Sequence, residues 1–142
     1  MKIILSLIFI LLLHNVGHCG VEVVSNSNIE GFKPTHITIR SIFFGIITRW
    51  EATGKPITVF ILPSSSQVTK QFAWNILKVT PHSFEEKINN MIATRDGNPP
   101  KIVQSEMEMI KTIVTTPYSI GYLGSLMVIT NENNNLRIIT IY

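Results

Sequence analysis

Two hydrophobic rhythms run along the chain. Ile57–Leu62 is apolar at every position except Thr58, the pattern of a strand covered on both faces. Upstream, Thr35 stands where a helix cap would, Ile39, Ile42 and Phe43 share one helical side, and Gly45 is placed as a stop. Ile37, Thr38 and Ile39 are β-branched and by themselves favour a strand; the cap, the spacing and the glycine together favour a helix. Between these segments Ile46–Lys55 reads as a loop carrying Arg49 and Trp50 and closing on a Gly54-Lys55 turn. Downstream, Pro63-Ser64-Ser65-Ser66 opens a second helix, capped by Ser65 or Ser66, with Val68, Phe72 and Ile76 at helical spacing and Leu77 as a further candidate for that face. This unit of helix, loop, strand, Ser-rich turn and helix organises the chain.

The flanking segments follow the same logic. Val21–Val24 is a β-branched run that predicts a first or edge strand, followed by the polar turn Ser25-Asn26-Ser27-Asn28 and a linker, Glu30–Pro34. Thr80-Pro81 ends the second helix. Ser83 with Glu86 three residues on predicts a capping box for a third, which buries Phe84, Ile88 and Met91 or Ile92. Asp96-Gly97-Asn98-Pro99-Pro100 is a break. Ile102-Val103 reads as a short extended piece, and Ser105 with Glu108 as a second capping box ahead of Met109, Ile110, Ile113 and Val114. Thr116-Pro117 closes that helix. Ile120-Gly121-Tyr122 predicts a short strand whose glycine admits a close backbone neighbour. Asn131–Asn135 is a polar turn between Met127–Thr130 and a final strand, Leu136–Tyr142.

With 142 residues the chain has room for one domain with a substantial core. Lys2 followed by the apolar run Ile3–Leu13 is too short to span a bilayer and matches a secretory leader. Gly17-His18-Cys19 places small residues where a signal peptidase reads, so the sequence predicts a signal peptide over 1–19 and a domain over 20–142. Lipidation of Cys19 is the second reading, ranked below because His18 occupies a position that prefers a small residue; an uncleaved anchor is the third. Cleavage after Cys19 removes the single cysteine, which excludes disulfides, thiol nucleophiles and cysteine metal sites from the domain. An exported, cysteine-free domain of this size suggests a bacterial periplasmic location.

Twelve Lys+Arg against nine Asp+Glu is a mild excess, spread along the chain, and does not point to nucleic acid. His36 and His82 fall at helix starts as surface residues, and no metal-ligand spacing exists. Glu85-Glu86 are adjacent, so they diverge on a helix and serve its first turn rather than acting as paired carboxylates. Ser64–Ser66 lacks nucleophile-elbow glycines. No catalytic constellation and no cofactor motif results. The positive feature is the Ser-rich helix start, where free N–H groups and hydroxyls can hold a phosphate-like anion; simple capping by Ser65 or Ser66 is the plainer alternative. Ligand sites in open α/β sheets lie at the carboxyl ends of strands, which makes Ser25 and Ser27 candidates as well. Trp50, beside Arg49, either covers the core or lies on an interaction surface.

The order Ile42-Phe43-Phe44-Gly45, Trp50, Gly54-Lys55-Pro56-Ile57, then Ser66 and Phe72, Gly97-Asn98-Pro99-Pro100, Ser105-Glu106 and Thr116-Pro117-Tyr118-Ser119-Ile120-Gly121-Tyr122 resembles the second lobe of phosphate-type periplasmic substrate-binding proteins of ABC transporters, in particular their small, single-lobe-sized relatives. The resemblance covers roughly Thr35–Leu123. It implies an α/β, periplasmic-binding-protein-like lobe with a mixed central sheet flanked by helices. It also implies a non-enzymatic binding function, with phosphate or a related oxyanion as inherited ligand and an ABC transporter permease or another envelope protein as partner. The expected ligand residues are Ser64, Ser65 and Ser66, closed from the other side by Ser25 or Ser27. The chain departs from the family at Ser64, where Asp is usual, at Ser65, where Gly is usual, and at Thr69, where the small relatives often carry Arg. Tyr118 and Ser119 replace Gly-Ala, and only Val21–Asn28 is left to stand for the first lobe. Loss of the Arg and Asp removes the charge-assisted part of oxyanion recognition. The rival expectation is therefore a degenerate lobe acting through protein contacts, with Arg49 and Trp50 as its surface.

Overall fold

The computed structural model describes residues 20–131 and 133–142. The proposed leader, with Cys19, lies outside the described residues. Five strands form one mixed sheet in the order β3-β2-β4-β1-β5. They are β1 (Val21–Asn26), β2 (Thr58–Ile61), β3 (Lys101–Ile102), β4 (Ser119–Gly124) and β5 (Leu136–Ile139). β2 runs parallel to β3 and β4, whereas β1 runs antiparallel to both β4 and β5. The α/β class, the mixed sheet and the flanking helices agree with the expectation from sequence.

The helices are α1 (His36–Phe43), α2 (Gln67–Phe72), α3 (Pro81–Thr94), α4 (Glu106–Thr115) and α5 (Ser125–Thr130). The Thr35 hydroxyl accepts the Thr38 N–H at 3.2 Å and starts α1, which buries Ile39, Ile42 and Phe43. Gly45 ends that segment at φ +71, with Gly97 packed so close that a Cβ on the latter would come within 2.9 Å of the Gly45 carbonyl oxygen. α4 starts at Ser105, whose hydroxyl accepts the Glu108 N–H at 3.1 Å; the Glu108 carboxylate reaches back one residue further than the simple box, to the Gln104 N–H. Its buried Met109 and Ile113 lie over Gly121 of β4. A Cβ there would meet the Met109 sulfur at 2.6 Å, so the glycine admits a helix side chain first and the β2 backbone second, at 3.3 Å from the Phe60 carbonyl.

Several expectations are corrected. α2 continues into a π turn, Ala73–Leu77, and Lys78 then takes a left-handed conformation. The wider turn carries Leu77 rather than Ile76 fully into the core behind Phe72. The widened turn's carbonyls are met from α1, by His36 Nδ1 at Ile76 (2.8 Å) and by Arg40 Nη1 at Leu77 (3.4 Å). Ser83 is not the cap of α3: Thr80 is, its hydroxyl accepting the Ser83 N–H at 3.1 Å, with Pro81 in the first helical position where its missing N–H costs nothing. Met91, not Ile92, faces inward. β3 begins one residue earlier than expected, Ser125–Thr130 is helical, and β5 stops at Ile139. Val21–Asn28 does not stand for another lobe, since β1 lies between β4 and β5 within this sheet.

The core centres on four aromatic rings. Tyr122 stacks on Phe72 with centroids 3.9 Å apart, Phe43 meets Phe72 at 4.7 Å, and Phe84 closes the group at 6.0 Å from Phe72.

Candidate functional site

β2 delivers the chain through Leu62 and Pro63 to the amino end of α2. The Ser66 N–H donates to the Pro63 carbonyl at 3.0 Å, which closes a tight turn over Ser64 and Ser65. Ser66 then occupies the cap position of α2 in extended geometry, but its hydroxyl makes no capping hydrogen bond. Ser64 and Ser65 are exposed and Ser66 is half-buried. The Ser64 hydroxyl donates to a Glu85 carboxylate oxygen on α3 at 3.1 Å. A hollow of about 50 Å³ lies beside this contact, lined by Leu62, Ser64, Thr69, Phe84 and Glu85 among others, the room of one or two water molecules.

The turn is held from below by Tyr122. Its hydroxyl accepts the Leu62 N–H at 3.1 Å and shares a hydrogen bond with Thr69 Oγ1 at 2.8 Å. Three elements, the end of β2, the first turn of α2 and β4, are thus tied at one oxygen. Burial pushes the Tyr122 phenol up to about 12, against the opposing hydrogen bonds from Thr69 and Leu62. Thr69 is buried against this phenol. At the same edge the Gly124 N–H donates to Glu106 Oε1 at 2.7 Å, and the Ser125 hydroxyl donates to Glu22 Oε1 at 3.3 Å. A Cβ on Gly124 would stand 3.7 Å from Val68, so β4 ends directly against the first turn of α2.

The structure separates the predicted ligand residues. Ser25 pairs with Ile120, which pairs with Val59 across the sheet, and β1 is antiparallel to both of those strands. Ser25 and Ser27 therefore lie at the amino ends of β2 and β4, five or more positions of strand length from Ser64 and on the order of 15 Å away. Ser25 is fully buried with its hydroxyl on the Asn26 carbonyl at 3.1 Å, and the Ser27 N–H bonds the Asn135 carbonyl at 2.9 Å. They do not close a site over the Ser turn. Of the predicted surface pair only Arg49 is exposed. Trp50 is 5% exposed, packs edge-on against Phe32 at 5.1 Å and donates its indole N–H to the Tyr118 carbonyl at 3.0 Å. Glu85, Glu106 and Tyr122 were not anticipated as parts of the site. A phenol inside an otherwise apolar strand was the one signal in the sequence, because a buried Tyr hydroxyl needs a partner.

Among the described residues no group of three His, Cys, Asp or Glu is placed to hold a metal, and no helix is long and apolar enough to cross a membrane.

No protein-family model matches the sequence, and no curated protein matches it. Solved structures do. A Clostridium perfringens protein described as a phosphate ABC transporter substrate-binding protein, with bound phosphate, superimposes with a TM-score of 0.63 at 15% identity, over 86% of this chain and 44% of that one. PstS from Borrelia burgdorferi gives 0.62 at 22% identity, over 86% and 47%. An ABC-type phosphate transport receptor from Vibrio cholerae gives 0.60 at 16%, over 86% and 46%. The chain has the fold of these proteins and spans less than half the length of each.

Proposed function

We propose that residues 20–142 form a single binding-protein-type lobe, exported behind a leader over 1–19, that holds a small oxyanion such as phosphate at the β2–α2 turn without catalysing a reaction. The observation that carries this reading is Ser66: it occupies the cap position of α2, yet its hydroxyl is not spent on the cap. Together with the N–H groups of the first turn, which have no intrahelical acceptor, that hydroxyl can face an anion. Ser65, exposed beside it, is the second donor. Ser64 is engaged with Glu85 and contributes little. With one or two charge-assisted hydrogen bonds of about 1.5–3 kcal/mol each, and no arginine at Thr69, affinity is expected on the order of millimolar. Calorimetric titration with phosphate at low salt tests this. Ser66→Asp retains a good cap and suits the helix dipole, so the fold should hold while binding disappears. Wild-type protein giving no heat, or Ser66→Asp binding as wild type does, overturns the anion site.

A second reading has its own support. Glu85 and Glu106 already place carboxylates on donors at this edge, and Leu126 (74% exposed) and Ile129 (71%) leave α5 with an apolar outer side. In that case the lobe is an accessory factor that contacts an ABC transporter permease or another envelope protein.

A further inference from the structure

A large hollow lies at the other end of the sheet, where neither reading above makes use of it. It measures about 500 Å³, within the range of small-molecule sites. Its walls are apolar and include Phe32, Ile42, Trp50 and Ile57, while Lys33, Arg49, Glu30 and Glu51 also line it and are exposed.

The walls are held in place before any ligand arrives. Trp50 is fixed at both ends, by its indole N–H on Tyr118 and by its backbone N–H on the Lys55 carbonyl at 2.9 Å. The Arg49–Pro56 bridge and the Ile57 N–H on the Thr48 carbonyl at 2.9 Å close the hairpin that carries it. One guanidinium nitrogen of Arg49 is anchored on the Gly54 carbonyl at 3.0 Å. A planar guanidinium held at one nitrogen keeps donors in a fixed fork for a carboxylate.

We propose that this hollow binds a hydrophobic α-amino acid, with the side chain against Phe32 and Trp50, the carboxylate on Arg49 or Lys33, and the ammonium on Glu30 or Glu51. The charge pattern selects this class. Two cations and two carboxylates stand around an apolar interior, and a ligand with both charges at one end and an apolar body at the other finds a partner for each charge and for its body. An apolar acid leaves the carboxylates as repulsive neighbours, an apolar amine leaves the cations so, and an uncharged hydrophobe uses neither.

Trp50 is the reporter. Trp74 is 56% exposed and does not line the hollow, so Trp74→Phe leaves Trp50 as the one tryptophan. In this variant, L-phenylalanine and L-leucine should each give a saturable change in tryptophan emission. Phenethylamine and 3-phenylpropionate, each lacking one charge, should bind at least about tenfold more weakly, as should L-phenylalanine to Arg49→Gln. Ala52→Phe, a substitution at an exposed position lining the hollow, should block the response with the urea midpoint unchanged. The proposal is overturned by an emission that does not respond to either amino acid up to about 10 mM, a level that detects millimolar binding. It is equally overturned by a one-charge analogue that binds as well as the amino acid, or by Arg49→Gln and Ala52→Phe both leaving binding intact. Because this hollow and the Ser turn lie at opposite ends of the sheet, Ser66→Asp should not change the response, which separates this test from that of the anion site.

Discussion

Removing one oxygen, by Tyr122→Phe, tests how the Ser turn is held. The ring stays, so its stacking on Phe72 at 3.9 Å is kept and no large cavity opens. The Leu62 N–H, buried beneath the turn, loses its acceptor; an orphaned buried donor costs about 1–3 kcal/mol. Thr69 Oγ1 loses its partner too. The expected destabilisation is about 2–4 kcal/mol, a large share of the roughly 5–15 kcal/mol of a typical domain. Thr69→Val removes the other end of the pair, and the double variant should be less destabilised than the sum of the two, by about 0.5–3 kcal/mol. Reversible urea denaturation, compared by midpoint at constant slope, measures all three. A loss below about 0.5 kcal/mol for Tyr122→Phe would refute the view that this oxygen ties the three elements together. The same phenol gives a pH signature. Its folded pKa of about 12 lies above the ordinary 10.0, so the unfolded chain releases the proton first. Its contribution is fully present below pH 10 and is lost as pH rises toward 12, an alkaline loss on the order of 3 kcal/mol that Tyr122→Phe should remove.

Phe72→Ala should cost about 3–5 kcal/mol, because the ring is fully buried among three other aromatic rings, and a loss under 1 kcal/mol in the same titration would show that the site collapses instead. Thr80→Ala should lower stability by about 0.5–2 kcal/mol while Ser83→Ala changes it by less than about 0.5 kcal/mol; the reverse order would return the cap of α3 to Ser83. Intact-mass analysis of protein expressed with its leader should show a chain beginning at Gly20, and a diacylglyceryl group on Cys19 would replace cleavage by lipid anchoring.

Local signals were enough for the elements whose partners are close in the chain. Thr35 and Gly45 bound α1 as expected, the run Ile57–Leu62, apolar except at Thr58, formed β2 covered on both faces, and the Ser105 cap set α4, because caps, periodicity and glycine stops act within a turn or two. The local part of the site was legible in the same way, as a strand running into a Ser-rich helix start. The remainder rests on residues far apart in the chain that packing brings together. The direction of β1 is set by its pairing with β4 and β5, and that single reversal sends Ser25 and Ser27 to the end of the sheet away from Ser66. Trp50 is drawn inward by a carbonyl 68 positions later, and Thr69 by a phenol 53 positions later. The carboxylates of Glu85 and Glu106 reach Ser64 and Gly124 only once α3 and α4 have packed. A buried polar group takes whatever partner the packed chain brings to it, and local sequence carries no record of which one that is.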